Sequence, residues 1–557
     1  MNKVLENQFY YLDNFQLVLA WITERYHDLL TEDEHAFIAQ FSQLPQNARA
    51  LFVRMVMRKG CLFRASKLNY AEIGNTTEAA LPLLATGWIE TDPCLDLEQL
   101  FELLLKHEIS QTFQLTTAEK GLRKPEQLAL LREKFAQMPD TQHFSSWTPD
   151  SGEQVYQVLN KDLCERLRLI FFGNFHQGWS EFVLSDLGIY QYEKVEFSLA
   201  SRGFRSRQDI DDYVALQRCR ERFYNEDPVA EVLQDLSASL TGEGNDWLAG
   251  RREKFMFQIA EHLEKAKDWD GAVGIYSVCR HPGARVRRIR VLEKNGQSAI
   301  AHALLKTAQD APESEAELQQ LLRIAPRLNR KLGHAKLAAT PSTPVQRIDL
   351  SLPFPDAPCY VEGVVRDHLT SVDAPVFYVE NALINSLFGL LCWQAIFKPL
   401  PGAFFHPFHR GPADLHSADF QQRRATEFSA CLAQLDTDDY KLNIRRRFAE
   451  KQGIQSPFVF WNVLSEELLE LALSCIPAAH LKRWFERILL DIKTNRNGLP
   501  DLIQFWPTRP PEQRYRMIEV KGPGDKLQDN QKRWIDYCAT HQIPITVCYL
   551  EWSEDSA

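Results

Sequence analysis

From Phe9 to Leu30 apolar side chains return at the spacing of one helix face, and Thr31-x-x-Glu34 then offers a capping box ahead of Ala36, Phe37 and Ile38. A helical opening region is predicted over residues 1–70. Between Gly60 and Ile89 the apolar segments shorten and are broken by Gly74, Asn75 and Gly87, which predicts a small helix-and-strand unit. Leu97–Leu105 reads as a helix, the polar stretch ending at Gly121-Leu122-Arg123-Lys124-Pro125 as extended chain, and Glu126–Phe135 as a second helix. Helical spacing returns over Asp162–Leu184 and Asp209–Phe223, and it is almost continuous from Trp247 to Arg330. In that last stretch Leu263-Glu264-Lys265 recurs as Leu292-Glu293-Lys294, each ahead of a helix rich in small residues. Stacked helical hairpins and an ordinary bundle both fit this pattern. His334–Pro358 carries Pro341, Pro344, Pro353, Pro355 and Pro358 with little periodicity, and residues 336–358 are predicted to be a linker.

The period changes near the C-terminus. Gly498-Leu499-Pro500-Asp501 reads as a turn entering a short strand, and Tyr515–Lys521 as a strand ended by Gly522-Pro523-Gly524-Asp525. A helix over about Lys526–His541 and a β-branched strand over Ile545–Leu550 complete a strand, strand, helix, strand order. Upstream, Val379–Phe397 is predicted to be one helix with Leu383, Leu387, Leu390 and Leu391 on its core face. The whole is a multidomain chain, mainly α, ending in an α/β domain.

Length and charge narrow the function. At 557 residues the chain exceeds a typical domain several-fold. Its 64 Lys and Arg against 74 Asp and Glu leave a net charge of −10, the wrong sign for binding nucleic acid by bulk charge. Any such contact needs local patches. Around Arg202, Arg205, Arg207, Arg218, Arg220 and Arg222 the interleaved acids predict an ion-paired helix face. Two runs free of acids are better candidates for a DNA backbone: Arg285, Arg287, Arg288 and Arg290, and Arg445, Arg446 and Arg447 after Lys441. The first residues show no export signal and no apolar run approaches the roughly 18 residues that span a bilayer. The 11 cysteines are scattered without a C-x-x-C pair, as reduced thiols are in a cytoplasmic protein. No membrane association is expected.

The candidate chemistry lies in the C-terminal strands. Because side chains alternate, Glu519 and Lys521 share one face of their strand while Ile518 and Val520 point to the other. Asp501 stands at the start of the preceding strand, and Glu380 one turn before Leu383 and Ile384, where a carboxylate is costly unless met by positive charge. Three acids and a lysine converging on one point suit phosphodiester hydrolysis. Hard carboxylate oxygens hold divalent cations, which neutralise the phosphate, activate water and stabilise the leaving oxyanion. Asp501 and Glu519 are expected to bind Mg²⁺ or Mn²⁺, with Glu380 completing the shell of a second ion. The Val520 carbonyl is a further ligand, and Lys521 orients water or stabilises charge. Gln531, predicted to face inward on the following helix, joins the catalytic set. A competing zinc site, His406-x-x-His409 with Asp414 and His416, sits on a proline-containing aromatic loop without helical H-E-x-x-H register.

Gly498-Leu499-Pro500-Asp501-Leu502, then Ile518-Glu519-Val520-Lys521-Gly522-Pro523-Gly524-Asp525-Lys526-Leu527 and Gln531-x-x-Trp534, closely resembles the VRR-NUC branch of the PD-(D/E)xK nucleases. Glu165–Phe175 and Trp179–Gly188 resemble the Fanconi-associated nuclease family, in a bacterial form. The resemblance implies the order N-terminal helical region (1–70), SAP-type DNA-binding region (71–200), TPR-like helices (201–335), linker (336–358) and restriction-endonuclease-like VRR-NUC domain (359–557). It also implies a 5′ flap endonuclease and 5′–3′ exonuclease that uses Mg²⁺ or Mn²⁺. Its partners would be branched DNA, whether a 5′ flap, nicked or cross-linked duplex. Interstrand cross-link repair at the nucleoid is the implied setting. The family's metal-binding acids fall on Glu380, Asp501 and Glu519, its backbone ligand on Val520 and its catalytic lysine on Lys521. The SAP-like segment, Leu95–Phe135, departs from the family pattern in a longer, less basic loop. A four-way junction resolvase and a non-catalytic repair scaffold are the alternatives.

Overall fold

Thr31 and Glu34 form the capping box their spacing dictates. The Glu34 N–H donates to Thr31 Oγ1 at 3.3 Å and the Thr31 N–H to Glu34 Oε2 at 3.0 Å, opening the helix Glu32–Gln43. The computed structural model describes residues 7–135, 141–178, 190–238, 244–335, 345–355 and 360–553. The Trp179–Gly188 motif and Pro341, Pro344 and Pro358 lie outside them. The chain divides into two units, one of residues 1–189 with 204–210, the other of 190–203 with 211–557.

In the first unit Glu34 has a second task. Its side chain is 0% exposed and accepts from Arg166 and Arg207. Burial by itself raises a carboxyl pKa, but the Arg207, Thr31 N–H and Arg166 hydrogen bonds hold Glu34 below its ordinary value. Strands β1 (Leu62–Arg64), β2 (Ile89–Thr91) and β5 (Val155–Val158) form an antiparallel sheet in the order β1-β5-β2, and β3 (Cys94–Leu95) pairs with β4 (Gln142–His143). The stretch expected to be extended before Pro125 instead carries two short helices, Lys106–Thr112 and Thr117–Gly121. The overlooked signal is Thr116-x-x-Glu119, which closes its own capping box. The helix expected over Asp162–Leu184 runs from Lys161 to Phe172 and stops at Gly173, whose φ of 68° is the left-handed C-terminal geometry glycine favours.

In the second unit, helices Asp246–Lys265, Trp269–Val278, Ala284–Lys294, Ser298–Asp310 and Glu315–Lys331 each pack on the next. Val286, Ile289, Leu292, Leu305, Leu321 and Leu328 form the core of the last three. A five-stranded sheet follows in the order β6-β10-β9-β8-β7: β6 (Gln346–Pro353), β10 (Ile545–Ser553), β9 (Tyr515–Lys521), β8 (Leu502–Phe505) and β7 (Val376–Tyr378). β6, β10 and β9 are mutually parallel, whereas β8 and β7 join antiparallel. The helix Asp529–Thr540 makes the crossover that parallel β9 and β10 require. Ile518 and Val520 lie under one face with Leu502, Cys548 and Leu550, and Tyr515 and Met517 lie under the other with Trp534 and Ile535.

Two expectations are corrected here. The segment expected to be linker supplies β6, because Ile348, Leu350 and Leu352 alternate with polar residues and pack on the sheet face that holds Val520. The single helix expected over Val379–Phe397 is two, Leu383–Leu391 and Trp393–Ile396, entered through a turn. Asn381 in that turn has φ 51°, incompatible with α-helix, so Glu380 sits exposed in the turn rather than on a buried helix face.

Candidate active site

Asp501 directly precedes β8, and the register Leu502↔Ile518 brings it alongside Glu519 on β9. The turn before it needs Gly498. There φ is 85°, and a Cβ would lie 2.8 Å from Asn530. The Val520 N–H donates to Asp501 Oδ2 at 2.8 Å, and the Val379 N–H donates to the Asp501 carbonyl at 2.8 Å. The end of β7, and with it the turn carrying Glu380, is thereby tied to the acid on β8.

On β9 the alternation places Glu519 and Lys521 as expected. Glu519 is 1% and Lys521 8% exposed. Lys521 Nζ donates to the Val520 carbonyl at 2.8 Å and lies 2.6 Å from Glu519 Oε1. That contact is a buried ion pair, and among the described residues no other donor reaches Glu519 Oε1. The ammonium therefore covers the same two oxygens, Glu519 Oε1 and Val520 O, that were expected to take a cation.

The electrostatics are those of a site short of positive charge. Burial pushes the Glu519 carboxyl up to about 8, and the charges of Asp501 and Glu380 add to it against the pull of Lys521. Burial also raises Asp501 to about 6, opposed by the Val520 N–H and Lys521 and reinforced by Glu380 and Glu362. Among the described residues no three His, Cys, Asp or Glu side chains are gathered tightly enough to hold a metal ion. Glu380 accepts from Tyr378 Oη and from Asn381 Nδ2. Even so, the donor set fits a hard divalent cation. It comprises a buried carboxylate oxygen paired with Lys521, a second carboxylate raised by burial and by neighbouring acids, and a third within electrostatic reach.

The other candidates lie elsewhere. Gln531 is half-buried and its amide oxygen caps its own helix, accepting the Gln528 N–H at 2.8 Å. Arg285 is held by Glu317, Arg287 by Glu261 and Glu264, and Arg445 by Glu470 through two hydrogen bonds. Arg446 donates to Asn443, and Arg447 lies 3.7 Å from Glu450. Arg288 is half-buried, and Arg290 lines a cavity of about 650 Å³ with Arg323 and Arg327. The zinc alternative fails on geometry. His406 Nδ1 and His409 Nε2 accept backbone N–H groups of Phe408 and Phe405, while Asp414 is bonded by Arg423 and Arg424. Arg424 is 0% exposed, so Asp414→Ala strands a buried guanidinium. The expected loss is about 3–5 kcal/mol, read as a lower urea midpoint.

The linear sequence did not point to one positive cluster. Burial and the charges of Arg496, Lys493 and Lys254 lower the His416 pKa against the pull of Asp491, and burial with Lys493 and Lys254 lowers that of His281 against Glu261. Arg496 is itself depressed by burial and by Arg410. Cations that repel one another in this way are assembled from separate segments, so no local run announces them. Glu362, on the helix Val361–Leu369, and Tyr378 were likewise missed.

Over 556 residues the chain is 55% identical to a Fanconi-associated nuclease 1 homolog of Pseudomonas aeruginosa, covering 100% of this chain and 98% of that protein. The chain belongs to the Fanconi-associated nuclease family. It matches the family's HTH domain over residues 9–90, its SAP domain over 94–147 and the VRR-NUC domain over 436–552, spans narrower than the expected SAP and nuclease regions. A rice homolog of Fanconi-associated nuclease 1 is 22% identical over 607 residues, covering 97% of this chain and 62% of the rice protein. Among solved structures, paFAN1 bound to a 2-nt 5′ flap DNA with a gap matches with a TM-score of 0.91 and 55% identity, covering 99% of this chain and 100% of that one. Fanconi-associated nucleases with a PD-(D/E)xK-type domain use divalent cations, as the donor set above suits. No helix among the described residues is long and apolar enough to cross a membrane.

Proposed function

We propose that this chain is a structure-selective DNA nuclease that cuts 5′ flaps as an endonuclease and resects 5′ to 3′ as an exonuclease, in the repair of interstrand cross-links in the bacterial cytoplasm. The observation that carries this reading is the buried Glu519 carboxylate, raised by burial and by Asp501, with the Lys521 ammonium against it on the VRR-NUC strand. The likeness to paFAN1, seen with 5′ flap DNA, supports the choice of substrate.

Asp501, Glu519, Glu380 and the Val520 carbonyl would hold Mg²⁺ or Mn²⁺, two ions in the proposed form. Bound there, the cations supply charge neutralisation and an activated water. The chain's own groups do the rest. Glu519 and Asp501 give up the protons that burial favours. Lys521 leaves the Val520 and Glu519 oxygens and turns its ammonium toward the scissile phosphate. The sheet and the Asp529–Thr540 helix hold the backbone that presents the acids, so the lysine side chain is the part that moves.

The cluster of Lys254, His281, Arg410, His416, Lys493 and Arg496 would take backbone phosphate, which positions a strand without reading its sequence. Lys254→Ala and Lys493→Ala are expected to weaken flap binding. Each should lower the slope of log affinity against log salt by about 1. The decisive assay is a cleavage map on 5′ flap, 3′ flap, nicked and four-way substrates with Mg²⁺ or Mn²⁺. Preferred cutting of the 5′ flap supports the reading. Symmetric cuts on the four-way junction would make the protein a resolvase, and binding without cleavage a scaffold.

A further inference from the structure

The turn that carries Glu380 is held by its neighbour. Asn381 adopts φ 51°, a left-handed conformation unfavourable for a residue with a side chain, and such outliers persist where the surroundings use them. Every polar group of its side chain is engaged. Nδ2 donates to Glu380 Oε1 at 3.2 Å, and Oδ1 accepts the Leu499 N–H at 3.0 Å. Its carbonyl accepts from Asn385 Nδ2 at 2.7 Å, and the same amide donates to the Arg496 carbonyl at 2.8 Å. Asn385 is 0% exposed, so the anchor is buried although the turn is not.

Leu499 lies two residues before Asp501. The Asn381 amide thus bridges the two loops that present Glu380 and Asp501, bonding the carboxylate of one and the backbone of the other. An exposed glutamate otherwise samples many rotamers. With Asn381 on Oε1 and Tyr378 on Oε2, Glu380 is confined while each oxygen keeps a lone pair for a cation.

We propose that Asn381 is a positioning residue that sets the separation of Glu380 from Asp501 and so prepares the cation site that depends on Glu380. This rests on the nuclease reading above. Outer-shell partners of this kind change metal affinity or activity by roughly 10–100-fold when removed.

Glycine and alanine separate the two jobs of Asn381. Asn381→Gly keeps the left-handed backbone at no steric cost and deletes both side-chain bonds, whereas Asn381→Ala deletes the bonds and strains the backbone. The full chain and its Asn381→Gly, Asn381→Ala and Glu380→Gln variants are titrated with Mn²⁺ by calorimetry, and cleavage of a 5′ flap is measured in parallel. The expected result is that both Asn381 variants lose Mn²⁺ affinity by the same roughly 10–100-fold. Their kcat should fall with KM for the flap unchanged, and Asn381→Gly should melt close to the parent. Parental Mn²⁺ affinity in Asn381→Gly, with loss only in Asn381→Ala, would show that the backbone alone matters and overturn the proposal. Failure of the nuclease reading looks different, because Glu380→Gln would then bind Mn²⁺ as the parent does.

Discussion

Asp501→Ala is expected to reduce Mg²⁺-dependent cutting of a 5′ flap to background while leaving binding of the same DNA in EDTA nearly intact. The Asp501 carboxylate accepts the Val520 N–H, so its loss removes a ligand and an anchor of β9, while the backbone bond from Val379 to the residue 501 carbonyl is kept. Lys521→Ala should also disable cutting, by on the order of 10²–10⁴-fold, the range for a group that assists proton transfer or charge development at the reacting centre. The two variants differ in a second readout. Lys521→Ala uncovers Glu519 Oε1 and the Val520 carbonyl, so it should bind Mn²⁺ at least as tightly as the parent, whereas Asp501→Ala should bind it weakly. Equal cation affinity in both variants would mean that Lys521 does not screen those oxygens.

The second large effect concerns stability without metal. Burial and the neighbouring acids raise the Glu519 carboxyl from its ordinary 4.5 to about 8 in the fold. Between those values the folded state binds more protons than the unfolded state, so stability falls as pH rises and levels off above about 8. Glu519→Gln removes the titrating group. In EDTA at pH 8.5 the variant is expected to be more stable than the parent by on the order of 2–4 kcal/mol. The difference should shrink toward pH 4.5. Adding Mn²⁺ should reverse the order, because only the parent gains from binding. Thermal melts across this pH range test it. A Glu519→Gln protein no more stable than the parent at pH 8.5 would show that burial and the neighbouring acids do not raise this carboxyl.

The β9 chemistry was legible because it is local. One strand alternates Glu519 and Lys521 against Ile518 and Val520, and the turn residues on either side bound it. Glu380 was found for its neighbourhood but placed on the wrong element. Apolar spacing in Val379–Phe397 satisfies a helix, and only the left-handed Asn381 reveals that the helix starts later. β6 was hidden by prolines at its margins, although Ile348, Leu350 and Leu352 carry the period of a strand. Three of the seven arginines in the two basic runs meet acids that the local sequence does not show. Acids distant in sequence, Glu317 for Arg285, Glu264 for Arg287 and Glu470 for Arg445, return to neutralise them. The cations around His416, with Asp491 among them, come from segments that meet only in three dimensions.

Anomalous diffraction from crystals of the intact chain soaked in Mn²⁺ tests the cation site most directly. The expected map has manganese peaks bounded by Glu380, Asp501, Glu519 and the Val520 carbonyl, with Lys521 withdrawn from Glu519. A chain that cleaves flap DNA with Mn²⁺, yet whose soaked crystals hold no manganese between those oxygens, would contradict it.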